Sequence, residues 1–187
     1  MTDAELIGLV LAGAREHYAV LVGRYYDRIC ALAMSTLFSR EDAEEAAQET
    51  FLAAYLSLNA LRDPDRFAPW LAGIVRRKAI YALRKKIKSR KKVEGLASFK
   101  ATVTPEEQIH ADPMDEQAGR ERQAAITEEL RDLAHKYREV LYLRYFRNCS
   151  YQEIGDVLGM TKSGVDTRLQ RARVKLEKRL RARGITI

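Results

Sequence analysis

From Arg15 to Phe38, apolar side chains return at Tyr18, Leu21, Val22, Tyr25, Ile29, Leu32 and Ala33, the i, i+3, i+4 rhythm of one buried helix face. The rhythm predicts one long amphipathic helix, preceded by a short one from Asp3 to about Leu11 that Gly13 interrupts. Ser39 is placed to cap the next helix, which runs to about Leu58 and turns Ala43, Ala46, Ala47, Phe51 and Ala54 inward. Alanines on the buried side permit close packing. Asn59–Pro69 reads as a loop, because Asp63 and Ala68 each precede a proline and are pushed out of helix geometry. The following helix is expected to start near Trp70, bury Phe67, Leu71, Ile74 and Val75, and run through Leu83 into a cationic block. Glu94–Gln117 sustains no periodicity, contains Gly95, Pro105 and Pro113, and is expected to be a linker. Helical pattern resumes at about Ala118, with Ala125, Ile126, Leu130 and Leu133 inward. A further helix, His135–Phe146, uses Val140, Leu141 and Tyr145 as a floor for the last pair of helices.

That pair is SYQEIGDVLGMTKSGVDTRLQRAR at Ser150–Arg173, which predicts two short helices joined at Gly159. Ser150 and Glu153 have the spacing of a capping box, so the first helix starts at Tyr151 with Ile154, Val157 and Leu158 on one face. Gly159 allows the left-handed conformation that ends a helix, and Thr161 caps its successor. In that successor Val165, Leu169, Ala172 and Leu176 face inward, while Lys162, Asp166, Gln170, Arg171 and Arg173 face out. Helix, glycine turn, then a helix with one apolar and one polar-basic face is a helix-turn-helix, which lays its second helix in the DNA major groove. An αα-hairpin on a basic helical protein has the same outline. Capping box, turn glycine and basic outer face together favour DNA.

Charge adds a partner class. The 187 residues, 47% hydrophobic with 4 Pro and 10 Gly, suit one large or two small helical domains. A net charge of +7 suits a polyanion, although membrane surfaces attract basic chains too. The cations are grouped: Arg84–Lys92 holds seven in nine residues, Lys162–Arg183 is a second basic block, and Glu94–Glu116 between them is acidic. Two separated basic faces suggest two contacts with nucleic acid. Along the helix after Trp70, Arg76, Arg77, Lys78, Tyr81, Arg84 and Lys85 alternate cations with an aromatic, the combination single-stranded nucleic acid needs. The outer face of the helix after Ser39 carries Glu41, Glu44, Glu45, Gln48 and Glu49, which alone reads as a solvated stripe.

Other chemistries find little support. Cys30 and Cys149 lie far apart without metal-ligand spacing and are expected to be buried thiols of a cytoplasmic protein. His17, His110 and His135 are scattered, and no phosphate-binding glycine loop or carboxylate–histidine set is present. No catalytic residue, metal or cofactor is therefore expected. With no secretory segment and no apolar run long enough to span a bilayer, a soluble cytoplasmic protein without membrane insertion is expected.

DAEEAAQETF at Asp42–Phe51, followed by FAPWLAGIVRRKAIYALRK at Phe67–Lys85, resembles region two of bacterial sigma factors. KYREVLYLRYFRNCSYQEIGDVLGMTKSGVDTRLQRARVKL at Lys136–Leu176 resembles their region four. With those two regions and a short connection, the chain resembles an extracytoplasmic-function sigma factor over nearly its whole length. The resemblance implies an all-α fold of two small helical domains: a region-two bundle at 1–93, a flexible acidic linker at 94–117, and a region-four helix-turn-helix at 118–187. The chain stops soon after its last helical contact, and no added C-terminal domain is expected.

The resemblance also assigns work. It implies a non-enzymatic factor that binds core RNA polymerase, through the β′ coiled coil and the β flap, directs it to promoters and assists their opening. Asp42, Glu45, Gln48 and Glu49 match the β′-binding positions, which replaces the solvated-stripe reading. Arg66, Arg76, Arg77, Tyr81, Arg84, Lys85 and Lys88 are the expected contacts to the minus-10 element, whose non-template strand is captured single-stranded with bases flipped out. Lys162, Ser163, Asp166, Thr167, Arg168, Gln170, Arg171 and Arg173 are the expected contacts to the minus-35 duplex, with Lys175 a further phosphate candidate. Side-chain geometry pairs Arg171 with guanine, Gln170 with adenine and Asp166 with cytosine. The acidic linker resembles the segment that threads toward the polymerase active site, and an anti-sigma factor is an expected partner.

The chain departs from the family pattern in places. The usual Asn seven residues after the Trp is Arg77, and the acidic residue four further on is Tyr81. In region four the usual Gly-Thr before the Val is Ser163-Gly164, and the Lys or Arg after it is Asp166. An interior glycine costs a helix about 1 kcal/mol relative to Ala. A stand-alone helix-turn-helix regulator with an N-terminal dimerisation or sensing domain is the alternative, and it leaves the DAEEAAQETF face and the basic-aromatic helix unexplained.

Overall fold

The described residues, 1–93 and 116–185 of a computed structural model, form eight α-helices and no strand; side chains are described for 1–89 and 122–185. Most of the expected linker thus lies outside the described residues, and Glu116 and Gln117 already belong to a helix. In the first half, α1 (Asp3–Leu11) starts at a capping box between Thr2 and Glu5 and buries Leu6, Ile7 and Val10. A 3-10 turn at Arg15–His17 leads into α2 (Tyr18–Leu37), so the long helix begins slightly later than the periodicity alone indicates. Ser39 accepts the amide of Asp42 and caps α3 (Arg40–Leu56), whose buried side is Ala43, Ala46, Ala47, Thr50, Phe51 and Ala54. Those small side chains let α2, α3 and α4 (Phe67–Val93) pack as a bundle, with Leu21, Ile29, Leu32, Leu71 and Val75 at its centre.

The start of α4 and the connection before it also differ from the periodicity-based expectation, each for a local reason. The helix expected at Trp70 begins at Phe67, with Pro69 inside its first turn. A proline there forfeits an amide that has no intrahelical partner anyway, so Ala68-Pro69 does not delay the helix. The stretch before it is not plain loop: Leu58–Ala60 and Pro64–Arg66 are 3-10 turns, the second capped by the Asp63 carboxylate. At the other end of the bundle, Phe38 ends α2 in the left-handed region (φ 53°), a conformation that costs a non-glycine residue about 1–2 kcal/mol.

The second half comprises α5 (Glu116–Asp132), α6 (His135–Leu141), α7 (Tyr151–Leu158) and α8 (Lys162–Ala182). After α6 the backbone widens into a π-turn at Tyr142–Phe146. The extra residue shifts the register, so Tyr142 and Leu143 are buried while Tyr145, expected in the floor, is 53% exposed. Along α8, Val165, Leu169 and Ala172 are buried as the pattern requires and Leu176 is half-buried. Arg179 and Arg183 tie the end of α8 to Glu129 of α5, itself 5% exposed.

The halves share one contiguous buried core. Helix α2 packs against α6 and the π-turn, and α4 packs against α7. The ring of Phe38 sits between the guanidiniums of Arg131 and Arg138 (5.2 and 5.4 Å) with its edge toward Tyr142. Both cysteines are buried and free, and burial pushes each thiol up from its ordinary pKa. Among the described residues no helix is long and apolar enough to cross a membrane, and no group of residues is arranged to hold a metal ion.

Candidate nucleic-acid and polymerase interfaces

The outer face of α3 begins acidic and ends apolar. Asp42, Glu45, Gln48 and Glu49 occupy adjacent turns, and Leu52 and Leu56 continue the same face, 61% and 73% exposed. Two of the four expected polymerase-binding residues are already engaged by α4: Asp42 with Lys86 (2.5 Å) and Glu49 with Lys78 (3.0 Å). Exposed pairs of this kind contribute about 0–1 kcal/mol each, so a stronger partner can displace them. Glu45 and Gln48 are exposed and make no hydrogen bond or ion pair with the described residues. The two leucines are absent from the sequence-derived set, although their spacing from Glu45 and Gln48 carries the signal.

Between the end of α3 and α4 lies an open cavity of about 630 Å³. Ala53, Ala60, Trp70 and Ile74 form its apolar walls, and Ser57, Arg77, Lys78 and Tyr81 supply its polar groups. Of the expected minus-10 residues, Arg77, Tyr81, Arg84, Lys85 and Lys88 are exposed along α4 and Arg66 is exposed in the turn before it. Arg76 is not with them. One residue earlier on the helix, it turns toward the second half and binds Glu139 at 2.5 Å.

The helix-turn-helix has the expected local construction. Ser150 and Glu153 form their capping box, and these hydrogen bonds hold the Glu153 carboxyl below its ordinary pKa. Gly159 ends α7 with φ 66°, and Thr161 caps α8 through the amide of Gly164. Gly164 therefore lies in the first turn of α8, where the cost of an interior glycine does not fully apply. Gly155 reflects a close approach: a Cβ there would lie 2.6 Å from the Met160 carbonyl oxygen. On the outer face of α8, Lys162, Ser163, Thr167, Gln170, Arg171 and Arg173 are exposed, and Asp166 and Arg168 are half-buried. Gln170 donates to Asp166 at 3.1 Å, so these two expected base readers are bonded to each other in the free chain. The Arg173 guanidinium lies 5.5 Å from the Tyr145 ring, and Lys175 lies 5.7 Å from that of Tyr137.

A polar seam joins the two halves. Arg28 of α2 pairs with Glu153, Thr36 bonds His135 at 2.9 Å, and Arg76 pairs with Glu139, which is 4% exposed and also lies 3.6 Å from His135. Pro69, at the start of α4, is 3.5 Å from where a Cβ on Gly159 would be. The partners in Arg28–Glu153, Thr36–His135 and Arg76–Glu139 are 63 to 125 residues apart.

Comparison with known proteins bears on both halves. A family model described as Sigma-70 region 2 matches residues 21–89, and one described as Sigma-70, region 4 matches residues 123–176. The chain is 32% identical over 175 residues to the ECF RNA polymerase sigma factor SigW of Bacillus subtilis (strain 168), covering 92% of this chain and 93% of that protein. It is 30% identical over 170 residues to the RNA polymerase sigma factor YlaC of the same organism, covering 89% and 93%. Among solved structures it resembles CnrH, solved in complex with the cytosolic domain of CnrY, with a TM-score of 0.59 and 26% identity over 96% of this chain and 97% of that one. The sigma factor RpoE, solved with the anti-sigma factor NepR from Bartonella quintana, shares the fold at a TM-score of 0.54 and 19% identity, over 88% and 96% of the two chains.

Proposed function

The chain belongs to the extracytoplasmic-function class of RNA polymerase sigma factors, and on that premise we propose which of its surfaces carries out each part of promoter recognition. As a sigma factor it directs RNA polymerase to specific promoters. The relatives match in both halves, so a stand-alone regulator with an unrelated N-terminal domain is set aside.

Residues 1–93 are the polymerase-binding and minus-10 unit, and 118–187 the minus-35 unit. On α3, Glu45 and Gln48 meet the β′ coiled coil first, and Asp42 and Glu49 join as the coiled coil displaces Lys86 and Lys78. The second half engages the β flap. Arg66, Arg77, Tyr81, Arg84, Lys85 and Lys88 hold the melted minus-10 strand, cations on phosphate and aromatic on base. The outer face of α8 reads the minus-35 duplex, with Arg171 bidentate to guanine and the Asp166–Gln170 pair separating to meet bases.

The single observation that supports this reading is that one chain holds an aromatic-basic cavity and a helix-turn-helix with a basic outer face, each within a matched region. Their separation adds a requirement. Elements about 25 base pairs apart lie about 85 Å apart along DNA at 3.4 Å per pair. A compact chain of 187 residues has a radius of gyration of only about 16 Å. Gripping both elements therefore requires the seam to part, and Arg76 joins the minus-10 contacts only then. The protein acts in the cytoplasm without catalysing a reaction, and an anti-sigma factor restrains it by holding the two halves.

Run-off transcription with purified core polymerase on a promoter library tests this. Promoter-dependent transcripts are expected with the chain and none without it. A chain that binds DNA yet yields no transcripts without another sigma factor would be a conventional regulator.

A further inference from the structure

The charged groups lining the α3–α4 cavity are all cationic. None of its eight lining residues carries a carboxylate or an amide side chain. The Arg77 guanidinium and the Tyr81 hydroxyl are exposed and make no hydrogen bond with the described residues. Lys78 is held by Glu49 at the rim. Nearby acceptors are largely occupied: the Ala53 carbonyl accepts both the amide (3.1 Å) and the hydroxyl (2.7 Å) of Ser57, and the Ser57 carbonyl accepts the Ala60 amide at 3.0 Å. The end of α3, with its partial negative charge, explains why cations gather here. What is left for a ligand is a fork of guanidinium donors beside an aromatic ring, with the Ser57 and Tyr81 hydroxyls as the side-chain acceptors. Arg77 and Tyr81 are one turn apart on the same face, so a base stacked on Tyr81 comes within reach of the Arg77 fork.

We infer that this cavity takes an unpaired keto base of the minus-10 strand, guanine ahead of thymine, and that Arg77 sets the choice. The inference rests on the reading of α4 as the minus-10 surface. Guanine offers O6 and N7 to a bidentate guanidinium and thymine offers O4, whereas adenine and cytosine turn an amino donor toward the guanidinium donors. A donor set against the fork forfeits the bond that a keto oxygen makes, so the amino bases are disfavoured there.

The test uses the full chain assembled with core polymerase. Promoters selected from a randomised minus-10 library are remade with each base, and with 7-deazaguanine, at every non-template position, and open complexes are measured. At one position guanine is expected first and thymine second, with adenine and cytosine down roughly tenfold or more. Removing N7 with 7-deazaguanine is expected to cost a comparable factor. Arg77→Ala should level the four bases at that position alone, and Arg77→Lys should keep part of the preference. An amino base preferred at the Arg77-sensitive position overturns the inference. So does an equal loss on all templates in Arg77→Ala, which marks a phosphate contact, or an unchanged base profile. Those failures leave the sigma-factor reading intact, because transcription remains promoter-dependent. Absence of promoter-dependent transcription from the unaltered chain sinks both.

Discussion

The face of α4 turned to the second half and the face turned to α3 carry similar residues and use them differently. Arg76, on the first, is matched to a carboxylate that is 4% exposed, with His135 beside it. Arg77, on the second, has no partner among the described residues and lines an open cavity. In the seam, charge is spent on holding the molecule together; in the groove it is left for a ligand. About one hundred degrees of helix rotation separates the two uses. A count of cations along α4 therefore overstates how many are available to a ligand in the closed form.

The largest expected effect sits at the buried end of this comparison. Arg76→Ala leaves the Glu139 carboxylate without its closest counter-charge. Removing one partner of a buried pair costs about 3–5 kcal/mol, and with Arg76 partly exposed about 3 is expected here. Denaturant unfolding of the full chain measures it. Arg77→Ala should change stability by about 0.5 kcal/mol or less, as for surface sites without partners. If both variants unfold alike, the distinction between the two faces is wrong.

A smaller contrast lies on α3. If α3 is the polymerase-binding face as proposed, Glu45→Lys reverses a charge that is free in this chain, and core affinity should fall about tenfold, some 1.4 kcal/mol. Asp42→Asn should cost less than about threefold, because binding by Asp42 must first displace Lys86. Competition with a labelled sigma factor for core polymerase reads both. Equal losses would show that the internal pairs do not moderate this face.

Much of this is legible in the sequence, and the parts that are not share a cause. Caps and periodicity are local, so the helices around Ser39, Ser150, Gly159 and Thr161 can be read directly. Pro69 misplaces the start of α4 because the rule for residues before proline weakens in a helix's first turn. Tyr145 leaves the floor because a π-turn adds a residue that no 3.6-residue period anticipates. The candidate site is legible as a set of residues but not as an arrangement. Pairs such as Arg76–Glu139 and Arg28–Glu153 join positions 63 and 125 residues apart, and nothing local marks which of several arginines turns inward. The mutual bond of Asp166 and Gln170 is available from their i, i+4 spacing, which also suits a DNA-reading face.

The smallest predicted effect tests whether the seam is as closed as its geometry. His135 sits between Thr36 of α2 and Glu139 on its own helix, with Arg138 and, from α4, Arg76 also acting on it. Burial holds its pKa below the ordinary imidazole value; Glu139 opposes that shift, and Arg138 and Arg76 reinforce it. The unfolded chain, with an ordinary imidazole, therefore takes up a proton near pH 6.5 that the folded chain refuses. The stabilising contribution of the neutral ring is fully present above about pH 6.5 and is lost as pH falls from there toward the lower folded value. Thermal unfolding between about pH 7.5 and 5.5 should show the melting temperature falling on the acid side, with a shallower fall in His135→Asn. Because this residue bonds across the seam, the same acid range should loosen the two halves, readable as a growing distance between labels placed on α3 and α8. A His135→Asn variant that retains the full acid slope would assign the slope to other groups. Labels that do not move while the melting temperature falls would show that His135 stabilises the second half alone and takes no part in holding the halves together.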